Sequence, residues 1–377
     1  MFLEEKTYLD YNATSPMMPG VKEVLWSLLD LPLNASALHA WGQQAKRLVT
    51  QAHRKIGAHI EAHPDRIFIT SGGTEANNWV LKAQPWNHVF ISATSHDSIY
   101  NASENFVEVP VDSQGLLDLG SLEKIWRSSS QDLSCSLLSF VHAHNESGVI
   151  QPTEDLVNLA KRYGIFVHAD VTQSLGKIPF SFTKMNVDFA TLSAHKVGGP
   201  QGAGALVVKD PSLLTPFLKG GGQERGYRSG TENVLSIVGF SEALDLFPKD
   251  HMVELRKWHQ EMEEDLSSFT HRHNHPLYIY GKEEERLPNT TCLSMPFVES
   301  ATQVMRFDLD NISVSMGAAC SSGRIQVSRS LSRMGTNNSL AQSAIRVSSG
   351  WATQEKDLQK FANIWKKIYL ELKETAA

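Results

Sequence analysis

Four polar segments of the chain carry groups able to do chemistry, and each falls just past a run that reads as a buried strand. Ser71-Gly72-Gly73-Thr74-Glu75 joins a strand, a glycine turn and a helix start. Free N–H groups and the positive end of the helix dipole suit a phosphate there. The same segment also serves as a plain connection with Thr74 as helix cap. Asp170 closes the apolar run from Ile165. A carboxylate in that position is costly to desolvate without a partner. A pyridinium N–H, a buried arginine or a helix start would each supply one. Ser193-Ala194-His195-Lys196 puts a lysine at another strand end, beside Gly198-Gly199-Pro200. A desolvated amine there can form a Schiff base, whereas most lysines simply face water. His96 follows the strand ending near Ser92. It can stack on a flat ring, move a proton or cap a helix.

Open α/β sheets bind ligands at the carboxyl ends of their strands, so the recurrence points to one site. Phosphate cradle, strand-end aspartate and strand-end lysine, in that order, are the three needs of pyridoxal phosphate chemistry. The lysine holds the cofactor, the aspartate keeps its ring nitrogen protonated, and the cradle takes the phosphate. The conjunction is far more specific than any part. Cys320 sits among small residues in Ser315-Met316-Gly317-Ala318-Ala319-Cys320-Ser321-Ser322-Gly323, which reads as a loop. An exposed thiol there is a candidate nucleophile once it is a thiolate. Cys135 and Cys292 read instead as small hydrophobes inside apolar strands.

The elements that must position these groups alternate between helix and strand, the pattern of a mostly parallel α/β sheet. Strand-like runs cover residues 66–70, 88–92, 135–142, 165–170, 188–193 and 204–208. Helix-like runs cover 21–31 and 43–60, and a further helix opens at Pro152 and closes at Gly164. After about residue 250 the texture changes to a charged amphipathic helix, 252–269, then short strands at 277–280, 290–295 and 312–316, and a last helix carrying Leu358, Phe361, Trp365, Ile368 and Leu372. The expected organisation is a large cofactor-binding domain over 15–250 and a small α+β domain made of 1–14 and 251–377.

The 377 residues carry 35 Lys and Arg against 41 Asp and Glu, a net charge of −6. That balance gives nucleic acid or an anionic membrane no electrostatic footing. No apolar run is long enough for a membrane span. The acidic start Glu4-Glu5 does not read as a secretory signal, so a cytoplasmic protein is expected. Three widely spaced cysteines make neither a disulfide framework nor a zinc pattern. His271-x-His273-x-His275 sits in a polar stretch and is expected to face solvent rather than hold a metal. The basic loop from Arg225 to Arg228 lies among glycines and reads as part of the cofactor site and a dimer edge.

The chain resembles the cysteine desulfurases of the NifS/IscS type, within the class V aminotransferase group of pyridoxal-phosphate enzymes. The resemblance runs from Tyr8 to about Trp351. It is carried by residues 9–16, by Thr70-Ser71-Gly72-Gly73-Thr74-Glu75, by His144-Asn145-Glu146-Ser147-Gly148, by residues 168–174, by Ser193-Ala194-His195-Lys196, by residues 220–231, by the Cys320 loop and by Ile345-Arg346-Val347-Ser348. It implies the aspartate-aminotransferase fold (fold type I), with a large mixed-sheet domain and a smaller α+β one. It implies that Lys196 carries the cofactor, that Asp170 pairs with the ring nitrogen, and that His96 stacks on the ring and serves in proton transfer. Gln173 would bond the phenolic oxygen. Gly73, Thr74, Ser193 and His195 would hold the phosphate, with Thr231 reaching in from the other subunit of a homodimer. Asn145 and Arg346 would hold the carboxylate of L-cysteine, and Cys320 would take its sulfur as a persulfide, leaving alanine. The sulfur would pass to an iron–sulfur scaffold or a sulfur-carrier protein, for cluster assembly or tRNA thiolation. Competing readings are a related aminotransferase or lyase in which Cys320 is incidental, and a catalytically idle regulatory paralogue. Two departures stand out: Met316-Gly317-Ala318-Ala319-Cys320-Ser321-Ser322 replaces the usual Ser-Gly-Ser-Ala-Cys-Thr-Ser, and His144 stands where asparagine is common.

Overall fold

The computed structural model describes residues 6–130, 132–274, 277–316 and 327–376. Cys320 and its neighbours 317–326 lie outside the described residues.

The short apolar runs form one seven-stranded sheet. Its strands are β1 (Ile67–Thr70), β2 (Val89–Ser92), β3 (Val107–Val109), β4 (Leu137–Val141), β5 (Phe166–Asp170), β6 (Phe189–Ser193) and β7 (Gly204–Val208), in the order β1-β7-β6-β5-β4-β2-β3. Most are buried on both faces, which is why they read as continuous hydrophobic runs. Ile67, Ile69, Phe90, Phe140 and Val167 fill one core. Phe68, Val89, Ile91, Val141 and Phe189 fill the other. Only β7 runs antiparallel, pairing with β1 and β6. The other six strands therefore point the same way, and their carboxyl ends share one edge.

β1 is an edge strand with unpaired backbone groups, which a folded protein must cover. Here side chains do it. Glu224 accepts from the Ile69 N–H at 3.0 Å, and Arg225 donates to the Ile67 carbonyl at 2.7 Å while lying over the Phe68 ring. Both residues have left-handed backbone, with φ of 44° and 59°, and turn their side chains back onto the strand.

The later part of the chain forms an antiparallel sheet in the order β10 (Ser315–Met316), β11 (Ala344–Ser348), β9 (Thr290–Ser294), β8 (Tyr278–Ile279). Long helices over His251–Arg272 and Glu355–Ala376 back it, around a core of Leu9, Met262, Leu266, Phe307, Phe361 and Trp365. The N-terminal segment belongs to this region: Thr7–Tyr8 pairs with Ile312–Ser313, and Asp10 bridges Ser348. It then crosses toward the large sheet and carries Asn12 to its edge.

Two local readings need correction. The expected strand over 312–316 breaks at Val314, and its halves join different sheets. Cys135 is not inside a strand. It precedes β4 in a left-handed conformation, φ 53°, and is only partly buried. Cys292 does sit in β9, fully buried, and burial pushes its thiol far up from the usual range.

Candidate active site

The carboxyl edge of the sheet gathers most of the anticipated groups. β1 runs into the turn Ser71-Gly72 and helix α1 (Gly73–Lys82). Gly72 has φ 154° and ψ −178°, a region open essentially to glycine alone. No side chain among the described residues caps α1, and a helix start so left has N–H groups free to meet a ligand. A Cβ on Gly73 would sit 3.2 Å from the Thr172 hydroxyl and 3.8 Å from Ser193 Cβ. The missing side chain thus keeps the space between α1 and the ends of β5 and β6 clear. The Thr172 hydroxyl is itself buried, without a hydrogen-bond partner among the described residues. Thr74 is exposed at the helix start.

Asp170 ends β5 and is 6% exposed. It accepts the Thr172 N–H at 3.0 Å and the Asn77 amide at 2.8 Å. No cation lies within ion-pairing distance of it among the described residues. Asn77 also donates to the Ser98 hydroxyl at 2.8 Å, which meets His96 Nδ1 at 2.8 Å. Asp170 and His96 are therefore joined through one amide and one hydroxyl. His96 caps the short helix α2 (Asp97–Tyr100) through the Ser98 N–H, and its ring is exposed.

Lys196 follows β6. Its amine donates to the carbonyls of Asn12 at 2.6 Å and Ala13 at 2.7 Å. Burial, then the nearby Arg346 charge, lowers its proton affinity from 10.5 to about 8. An amine so tuned is a usable base and nucleophile near neutral pH. His195 meets Thr14 Oγ1 at 3.2 Å, and burial followed by the Lys196 charge lowers it to about 4, so it is neutral at pH 7. Gln173 donates to the Asn12 carbonyl at 3.0 Å. Ser193 is buried at the end of β6.

Arg346, on β11, is 4% exposed. It donates to the Asn145 carbonyl at 3.1 Å and pairs with Asp10 at 2.6 Å, while its Nε finds no partner. Arg346 therefore already holds a carboxylate of the chain itself. The Asn145 side-chain amide has no partner among the described residues. Thr231 is exposed, six residues after the Arg225 that covers β1. Sequence reasoning missed Asn12, Asn77, Asp10 and Lys177. The fragment 9–16 holds two of them, but nothing local marks an amide that is to bridge distant segments.

The class-V aminotransferase family model matches residues 7–361. A cysteine desulfurase IscS of Dictyoglomus turgidum is 32% identical across 98% of this chain and 96% of its own length. A NifS-like protein of Rickettsia africae superposes with a TM-score of 0.88 at 36% identity, over 97% of this chain and 99% of that one. SspA in complex with cysteine aligns at 28% identity and a TM-score of 0.78, over 91% and 99%. The chain belongs to the class-V aminotransferase family, in its cysteine desulfurase branch. Its fold is fold type I of the pyridoxal-phosphate enzymes, as the mixed seven-stranded sheet requires.

Members of this family work with pyridoxal phosphate, and the residues here fit that group. Among the described residues, Asp170 is a buried carboxylate lacking a cation, the Thr172 hydroxyl is buried and unpartnered, and the α1 start has no side-chain cap. No cluster of three or more His, Cys, Asp or Glu side chains placed to hold a metal occurs among the described residues. Among the same residues no helix is long and apolar enough to cross a membrane.

Proposed function

We propose that this chain converts L-cysteine to L-alanine and moves the sulfur to Cys320. The observation that carries the reading is the convergence, on one sheet edge, of an amine lowered to about 8, a cation-free buried carboxylate and an uncapped helix start. Pyridoxal phosphate held there supplies a sink for the electron pair left when the substrate Cα proton departs. Asp170 would hold the protonated ring nitrogen, and Asn77 and the Thr172 N–H fix its carboxylate. Gly73, Thr74, Ser193 and His195 would hold the phosphate, with His195 neutral and able to donate. Gln173 would face the phenolic oxygen.

Lys196, once free, would take the Cα proton and return it later. His96 is exposed beside the same space and would shuttle protons while stacking on the ring. The substrate carboxylate would meet the Asn145 amide and Arg346, whose Asp10 partner fixes the guanidinium plane. Cys320 as thiolate would attack the substrate Sγ. The S–S bond forms as the C–S bond breaks, and the bond pair stays with the three-carbon fragment, which takes up a proton to become alanine.

The working unit is proposed to be a homodimer. Trp26, Leu29, Leu38 and Trp41 are exposed, Trp26 at 78% and Leu38 at 89%. Leu38 lines a cavity of about 790 Å³ between residues 35–65 and the loop 222–232. A second copy seated there would bury them and bring Thr231 toward the partner's phosphate. The cofactor domain would be 15–250 and the small domain 1–14 with 251–377. The protein is proposed to act in the cytoplasm and to hand sulfur to an iron–sulfur scaffold or a sulfur-carrier protein.

The test is turnover of L-cysteine with a reductant, following alanine and sulfide. Cys320→Ala should keep the visible absorption of the holoenzyme and lose sulfide release. Sulfide released by that variant at the parent rate would overturn the mechanism.

A further inference from the structure

Lys177 lies in the turn after Asp170 and is 5% exposed. A lysine so enclosed normally has a carboxylate partner, because an isolated buried charge is costly. This one has none among the described residues. Its Nζ donates instead to two side-chain amide oxygens, Asn12 Oδ1 at 2.9 Å and Gln173 Oε1 at 2.9 Å. Two acceptors match the two N–H groups of a neutral amine, and a third proton would find no partner. Burial, then the charges of Lys196 and Arg346, disfavours that third proton. The other charged groups of the cluster, Asp10 and Asp170, act on Lys196.

An amide side chain has one accepting and one donating end, so fixing one end aims the other. With its Oε1 held by Lys177, Gln173 turns Nε2 outward, where it donates to the Asn12 carbonyl at 3.0 Å. That carbonyl also receives Lys196. With its Oδ1 held by Lys177 and by Asn289 at 3.4 Å, Asn12 turns Nδ2 to the Asn145 carbonyl at 3.1 Å and to Thr290 at 2.9 Å. We propose that Lys177 is a positioning residue: its amine sets the orientation of the Asn12 and Gln173 amides, so that Gln173 presents a donor to the cofactor's phenolic oxygen. This role rests on the desulfurase reading of the same site.

The test is a spectrophotometric pH titration of the holoenzyme's visible band. Lys177→Met keeps the side-chain length and removes both donors. Gln173 can then turn its oxygen toward the phenolic oxygen, which favours protonation nearby and raises the titration midpoint by about one pH unit. Gln173→Ala should raise it by a similar amount. The double variant should rise no further than either single one, because Lys177 acts through Gln173. An unchanged midpoint in Lys177→Met, or shifts that simply add in the double variant, overturns the proposal. If Lys177→Met fails to fold, a crystal structure of the unaltered holoenzyme decides. Lys177 Nζ within 3.2 Å of both amide oxygens supports the role, and a carboxylate partner or loss of either contact overturns it. A parent holoenzyme with no visible band at all would overturn the desulfurase reading itself.

Discussion

Lys196 and Lys177 are two lysines of one site that share a neighbour, Asn12, and use it differently. Lys196 leans on that residue's backbone carbonyl, and Lys177 holds its side-chain oxygen. The backbone partners of Lys196 are fixed whatever it does, so its amine can leave them for another bond. The partners of Lys177 are rotatable amides whose aim depends on it. Lys196 is half-buried just past the end of β6, whereas Lys177 is enclosed. Burial lowers the proton affinity of both. On the proposed roles, what separates a reacting amine from a supporting one is the kind of acceptor each amine holds.

The largest effect that would break this contrast is expected at Lys196. Lys196→Ala removes both the tether and the base, and alanine formation should fall by about 10⁴-fold or more. A loss of less than about tenfold in a steady-state assay would mean that another amine does the work. Asp170→Asn comes next. It keeps the side-chain shape, removes the charge and leaves one accepting oxygen where the carboxylate offered two, to Thr172 and to Asn77. Turnover should fall by about 10²- to 10³-fold while the visible band, which depends on Lys196, persists. Equal turnover in the two forms would detach Asp170 from the chemistry.

The sequence made the sheet edge legible because each chemical group sits one to four residues past an apolar run, a relation local enough to read. Asp170, Lys196, His96 and the glycine turn are all found that way. The supporting groups are not legible in this sense. Asn77 reaches Asp170 across 93 positions and Lys177 reaches Asn12 across 165, and neither has a neighbouring pattern that says so. The helix Val234–Leu246 was equally silent: it is apolar on most sides and packed between other helices, so no periodicity marks it. Strand 312–316 looked continuous because apolar alternation does not report a change of sheet.

A second contrast tests the same idea with acids. Asp170 receives a backbone N–H and an amide, whereas Glu146 is buried with one hydroxyl, from Ser328 at 2.7 Å. Burial pushes Glu146 up from 4.5 to about 7, against the pull of Ser328 and Arg346. The folded protein thus keeps a proton there that the unfolded chain loses above about 4.5. The contribution of Glu146 to stability is highest below that pH and falls as pH rises toward 7, by about 3 kcal/mol in all. Glu146→Gln should therefore match the parent near pH 4.5 and be more stable by about 2–3 kcal/mol at pH 8, measured by denaturant titration. A parent whose stability does not fall over that range would remove the contrast.

The smallest effect concerns His144, where the family's common asparagine is replaced. Its ring is buried, and burial, then the Arg346 charge, lowers it to about 3, so it is neutral throughout the working range. It bridges the Ser147 hydroxyl at 3.0 Å and the Ser330 hydroxyl at 3.0 Å. Ser330 lies on helix α3 (Arg329–Arg333), which Arg329 also ties to Asp97 and to the Ser95 carbonyl beside His96. The departure at 144 is thus hydrogen-bonded to helix α3 and touches none of the proposed cofactor groups directly. His144→Asn shortens the side chain, loses the Ser330 bond and should cost about 1 kcal/mol. Ser330→Ala should cost a similar amount, and the double variant little more than either, a coupling of about 1 kcal/mol in a double-mutant cycle. The visible band should be unchanged in all three. Additive losses would mean that the two residues act separately, and a shifted band would place His144 with Lys177 among the residues that orient the site.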